Sequence, residues 1–310
     1  MRFLPVDLTK HLFAIGVILI HTRSESRYSD QLNSFIYDLS LLVSGAVAGF
    51  FLLSGYFLKP QRVTDLAAGW SKIKGNVPKL LFPYFFFSVL YGGLLVVLGK
   101  ESLSTLLKNI AFLKGGAMQL YFLPYLLVIS GVLILVTGLT KRPLLSALAM
   151  LFGAVVVSLF LSTPLSTGTG WKMFFFYGAA FALGTTLAFF PKDKVWHFVG
   201  TSMAIGLLLW GLGRMDYRYD DLLLAYGIAV VALVWSLFLP CPSKSLPGSG
   251  GVYLLHAPLL NVAVSTVLIK VGVIALPNFV LTVVLTYLVA LVVTLLAIKL
   301  VPVTRRLLLE

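Results

Sequence analysis

The chain has 310 residues, 59% of them apolar and only 11% charged, with a mean hydropathy of +0.99. That balance excludes an ordinary soluble globule, which carries far more charge. The formal net charge of +13 would suit nucleic acid, but in a membrane chain Lys and Arg gather on the cytoplasmic side, so no nucleic-acid partner is expected. The single cysteine, Cys241, excludes an intrachain disulfide, and no His or Cys cluster has metal-ligand spacing.

Solid apolar runs recur along the chain, each near the twenty residues a bilayer needs. They do not alternate, which argues against barrel strands. Ten spans are predicted, at 6–22, 39–58, 80–98, 120–139, 144–161, 173–190, 195–212, 222–239, 251–270 and 279–301. The first lacks a small-residue cleavage site and reads as a retained span. Lys59-Pro60, Lys141-Arg142-Pro143, the run from Pro191 to Lys194, and Pro240-Cys241-Pro242 punctuate the gaps. Residues 101–114 read as a short interfacial helix. With no internal repeat or soluble insert, residues 1–310 form one all-α, polytopic membrane domain. The N-terminus, the even-numbered connections and the C-terminus hold the larger share of the 24 Lys and Arg residues. Both termini are therefore expected in the cytoplasm.

The first span carries unusual polar cargo. Lys10 and His21 are eleven residues apart, which on a helix puts them within about 20° of one face and about 16 Å apart along the axis. Asp7 lies one turn before Lys10 and can pair with it. Snorkelling explains a lone lysine. An imidazole sharing its face, toward the outer half of the membrane, points instead to function.

Asp7-Leu8-Thr9-Lys10, followed after ten residues by His21, resembles the signature of acyltransferase family 3. These are integral-membrane acyltransferases, many of which O-acylate bacterial surface polysaccharides. The family pattern has Arg where this chain has Lys10, which keeps the charge but not the planar fork. Phe50-Phe51-Leu52-Leu53-Ser54-Gly55-Tyr56, Lys79-Leu80-Leu81-Phe82-Pro83-Tyr84, Leu120-Tyr121-Phe122-Leu123 and Tyr253-Leu254-Leu255-His256 resemble further family stretches, in the family's order. Asn76 stands where the family often has a second Arg, with Lys72 and Lys74 close by.

The resemblance implies transfer of an acyl group, of acetyl or succinyl type, from cytoplasmic acyl-CoA to a glycan or lipid-linked glycan hydroxyl on the outer side. Acyl-CoA would be a co-substrate, with no permanently bound cofactor. His21 suits the general base, since a neutral imidazole can take the hydroxyl proton. Asp38, at about the same depth, is the candidate to orient it. Lys10, Lys72, Lys74 and Lys79 map to the cytoplasmic side and suit the donor's phosphates. The resemblance adds Ser54, Tyr56, Tyr121, Tyr253 and His256 as donor contacts, with Tyr253 and His256 near the cytoplasmic end of the ninth span. His11 and His197 belong to no motif. Ser249, in Pro-Gly-Ser-Gly-Gly, misses the Gly-x-Ser-x-Gly spacing and reads as a loop, so direct attack in a ternary complex is expected.

Two other readings stand beside this one. A transporter or flippase for a lipid-linked solute would carry repeats and paired broken helices, and no repeat is present. A catalytically inactive sensor on the same fold is the third. The expected location is the cytoplasmic (inner) membrane, as a multi-pass protein.

Overall fold

A computed structural model of the chain describes residues 4–22, 29–43, 45–160, 171–190, 220–238 and 245–309. Among these residues the regular structure is helical throughout, with no strand. In chain order the helices are α1 (Leu4–Thr22), α2 (Asp30–Val43), α3 (Gly45–Phe57), α4 (Leu66–Val97), α5 (Leu103–Ala111), α6 (Phe122–Thr140), α7 (Pro143–Phe160), α8 (Trp171–Leu187), α9 (Asp220–Phe238), α10 (Ser249–Leu255), α11 (Asn261–Lys270), α12 (Ala275–Leu300) and α13 (Thr304–Leu307). Among the described residues, five stretches are long and apolar enough to cross a membrane: Leu4–Thr22, Leu66–Val97, Gln119–Thr140, Ser249–Lys270 and Ala275–Leu300. The predicted span at 195–212, His197 and Cys241 lie outside the described residues.

Three predicted spans take a different form. The second is shared between α2 and α3. The third is the far half of α4, whose 32 residues reach about 48 Å, well beyond a bilayer's hydrocarbon core. Pro78 and Pro83 lie within that helix without ending it. Lys72, Lys74 and Lys79 therefore sit on a helix, where their charge had marked a connection. The ninth span is broken into α10 and α11. Pro258 has no N–H to give, Ala257 leaves helical geometry at φ −128°, ψ 156°, and a single wide turn, His256–Leu260, joins the halves. Ser249 opens α10 and is buried, so it is a helix residue and not part of a loop.

The chain forms two compact units. The first comprises Met1–Thr9, Ser44–Lys74 and Val128–Ser243; the second comprises Lys10–Val43, Gly75–Leu127 and Lys244–Glu310.

In the first unit, α3 packs against α8 and α9, and α7 packs on α8. Small residues set the approach of α3 to α8. A Cβ at Gly55 would lie 2.0 Å from the Phe181 carbonyl oxygen, and one at Gly184 would lie 2.0 Å from that of Leu52. The Thr185 hydroxyl donates to the Gly55 carbonyl at 3.1 Å, and Phe51 stacks on Tyr177 at 4.7 Å. Lipid tails are as apolar as leucine, so close backbone contact and interhelical hydrogen bonds supply the association. Gly184→Ala is expected to cost about 1–3 kcal/mol by overpacking, read as a lower unfolding midpoint in detergent. Gly131→Ala, where a Cβ meets nothing within 4 Å, should leave the midpoint unchanged or raise it.

In the second unit, α12 packs against α10 and α11. Its polarity is inverted relative to a soluble helix. Asn278, Thr282, Thr286, Ala290 and Thr294 recur every fourth residue and are buried, while Val284, Leu288, Val292 and Leu296 are exposed. In a bilayer the apolar face meets lipid and the polar file turns toward protein. Ser265 of α11 donates to the Asn278 side chain at 3.0 Å, and the Asn278 amide donates to the Val273 carbonyl at 3.1 Å.

Candidate active site

The second unit holds Lys10, His21, Lys79, Tyr121, Tyr253 and His256; the first holds Asp7, Ser54, Tyr56, Lys72 and Lys74.

α1 is one continuous helix, so Lys10 and His21 do share a face. Lys10 is half-buried and Asp7, one turn before it, is buried. His21 lies in the last turn of α1, where carbonyls lose their helical partners. Asn261, the first residue of α11, donates its side-chain amide to the His21 carbonyl at 2.9 Å. The Thr22 hydroxyl bonds back to the Ile18 carbonyl at 2.7 Å.

The sequence reading separates His21 from His256, toward opposite sides of the membrane. The structure brings them together. Their ring centroids are 5.3 Å apart, with the planes inclined at 46°. His256 follows directly from α10 and immediately precedes the break at Ala257 and Pro258, and its ring lies against the last turn of α1.

A break inside the membrane leaves backbone carbonyls that must be satisfied without water. The second unit supplies side-chain donors to carbonyls at the turn. The Tyr91 hydroxyl donates to the Leu254 carbonyl at 2.7 Å. The Gln119 side-chain amide donates to the Ala257 carbonyl. The Tyr253 hydroxyl donates to the Gln119 carbonyl at 2.8 Å, tying the donor in place. His256 itself is fully buried, and its Nδ1 is 2.7 Å from the Tyr253 carbonyl. A carbonyl only accepts, so Nδ1 carries the proton, and in the neutral ring Nε2 is left as an acceptor. Nε2 is buried and has no hydrogen-bond partner among the described residues.

Tyr253 is buried between Phe122, at 5.3 Å, and His256, at 5.9 Å. Tyr121 is half-buried and meets Tyr125 edge-on at 5.2 Å. Lys79 is exposed on α4. Asp38 lies on α2, and its side chain is outside the described residues. His11 is buried, and its Nδ1 lies 3.1 Å from the Tyr287 hydroxyl.

In the first unit, the Lys72 ammonium reaches the carbonyls of Leu58 and, at 3.2 Å, Lys59, and so closes the turn after α3. An ammonium has three donors, so this leaves room for one more acceptor. Lys74 is exposed and lies over the Trp70 ring at 5.7 Å. Ser54 donates to the Phe50 carbonyl at 2.7 Å, and Tyr56 is half-buried, edge-on to Phe57 at 5.1 Å.

The histidine pair, held in a helix crossing by hydrogen-bonded carbonyls, lies in a chain that matches the family model for an acyltransferase domain over residues 4–298. The chain belongs to acyltransferase family 3. Nothing matches it among curated proteins or among solved structures. Membership covers nearly the whole chain and, with the apolar helices, makes this a membrane acyltransferase by family. Tyr91, Gln119 and Asn261 are residues that sequence reasoning missed. Each is a polar group in a predominantly apolar run, and that was the available signal.

Proposed function

We propose that the protein is an O-acyltransferase that takes an acyl group of acetyl or succinyl type from acyl-CoA on the cytoplasmic side. The acceptor is a glycan or lipid-linked glycan hydroxyl on the outer side of the inner membrane. His21 removes the hydroxyl proton as the oxygen attacks the thioester carbonyl. The C–S bond then breaks, and CoA leaves as the thiolate and takes the proton from His21. Both substrates are bound together, so no acyl-enzyme forms. Lys10 binds donor phosphate, and the extended pantetheine arm covers the rise of about 16 Å from Lys10 to His21. Lys72, Lys74 and Lys79 add positive charge on the same side, with both termini cytoplasmic.

The observation that carries this reading is the placement of His21. It lies eleven residues from a lysine on one continuous helix and beside a second imidazole that is fully buried. A paired, interior imidazole is a poor structural filler and a good base. The test uses the full-length protein in vesicles, with radiolabelled acetyl-CoA or succinyl-CoA supplied on the side of the termini and extracted membrane glycans enclosed on the other. Label should pass to glycan only when donor and termini share a side. Transfer from either side alike would refute the vectorial reading, and glycan flux without label transfer would favour a flippase.

A further inference from the structure

The ninth span brings a second imidazole beside His21, and one nitrogen of that ring has no hydrogen-bond partner among the described residues. His256 is fully buried, its Nδ1–H is committed to the Tyr253 carbonyl at 2.7 Å, and its Nε2 has no partner among the described residues. His21 is only half-buried. His21 is thus the more accessible of the two rings. A buried acceptor left unused is costly, by about 1–3 kcal/mol. The nearest ring to use it belongs to His21, at a centroid separation of 5.3 Å. An ordinary ring-to-ring N–H···N bond needs about this separation, and such bonds often tighten only when substrate is bound.

We infer that His256 is a positioning residue: its Nε2 accepts the ring N–H of His21 and so keeps the other His21 nitrogen unprotonated and turned toward the acceptor hydroxyl. This is a different role from the donor contact that the family resemblance implies, and it rests on the reading of His21 as the base. The hydroxyl proton goes to the free nitrogen of His21. His21 then carries two protons, one of them held by His256, until the departing thiolate takes the new one. His256 neither gains nor loses a proton. Its hydrogen bond to Tyr253 is what makes it an acceptor, so the Tyr253 carbonyl selects the tautomer of both rings.

The test is a cycle of four full-length proteins: wild type, His21→Ala, His256→Phe and the double variant, with His256→Gln alongside. Phe keeps the volume and removes the acceptor, whereas the amide oxygen of Gln can accept in place of Nε2. His256→Phe is expected to lower kcat about tenfold with the KM for acyl-CoA unchanged, and His256→Gln to recover part of that loss. In the His21→Ala background, His256→Phe should cause no further loss, because a residue that acts through His21 has nothing left to act on. Equal losses in both backgrounds would overturn the inference in favour of a merely structural role. A raised KM with kcat intact would overturn it in favour of donor contact. Should His256→Phe fail to fold, His256→Gln is compared with its own double variant. Near-normal turnover in His21→Ala would overturn the base reading itself. A His21-dependent enzyme indifferent to His256→Phe would overturn this inference alone.

Discussion

His21→Ala is expected to lower acyl transfer by about 10²–10⁴-fold while leaving acyl-CoA binding and detergent stability near wild type. The side chain is half-buried at the end of α1, and the helix terminus there is held through backbone by Asn261 and Thr22. Removing the imidazole therefore deletes chemistry without deleting a cap. His21→Gln should not rescue the loss, because an amide retains the shape and a hydrogen bond but takes no proton. The pH–rate profile of the wild type should carry an acid limb, as protonation removes the free base. That limb should be missing from the residual activity of His21→Ala. Turnover near wild type in His21→Ala would sink the mechanism.

Lys10→Ala is expected to raise the KM for acyl-CoA about 10- to 100-fold with little change in kcat. A charge-assisted hydrogen bond to phosphate is worth about 1.5–3 kcal/mol, and a contact made equally in ground and transition states appears in KM. Lys10→Arg should retain activity, since the charge stays and arginine adds a bidentate fork. The sharper control is an acyl-pantetheine donor, which has no nucleotide phosphates. Wild type and Lys10→Ala should be indistinguishable with it. An unchanged KM for acyl-CoA in folded Lys10→Ala would return Lys10 to a snorkelling role.

Periodicity and hydropathy locate helices well where one apolar run makes one helix. The runs at 6–22, 144–161 and 222–239 correspond to α1, α7 and α9 within about two residues, because little but length decides them. They fail where hydropathy and backbone part company. The first turns of α4 carry Lys72, Lys74 and Lys79, and charge reads as a connection although the backbone hydrogen bonds continue. The break at His256–Leu260 lies in a stretch that hydropathy reads as one span, with Pro258 as its helix-breaking mark. On the site, the spacing of Lys10 and His21 along one helix was legible, since both lie on a single axis. The approach of His256 to His21 was not, because it depends on how two helices meet and on a turn that no periodicity reports. Tyr91 and Gln119 were passed over for a related reason: their partners are carbonyls, and a backbone carbonyl has no letter in the sequence.

Carbonyls held by side chains limit which positions tolerate drift. Tyr91, Gln119 and Asn261 belong to none of the family stretches, yet each donates to a backbone carbonyl at or beside the histidine pair. Phe at position 91 would match the ring and pass as a conservative exchange in any apolar helix, but it would leave the Leu254 carbonyl without its donor in a dry setting. Leu at position 119 would do the same to the Ala257 carbonyl. Variation that looks silent by hydropathy is therefore not silent here. The mutational footprint of this enzyme should extend to a ring of scattered, chemically inert-looking sites whose constraint comes from the main chain they hold.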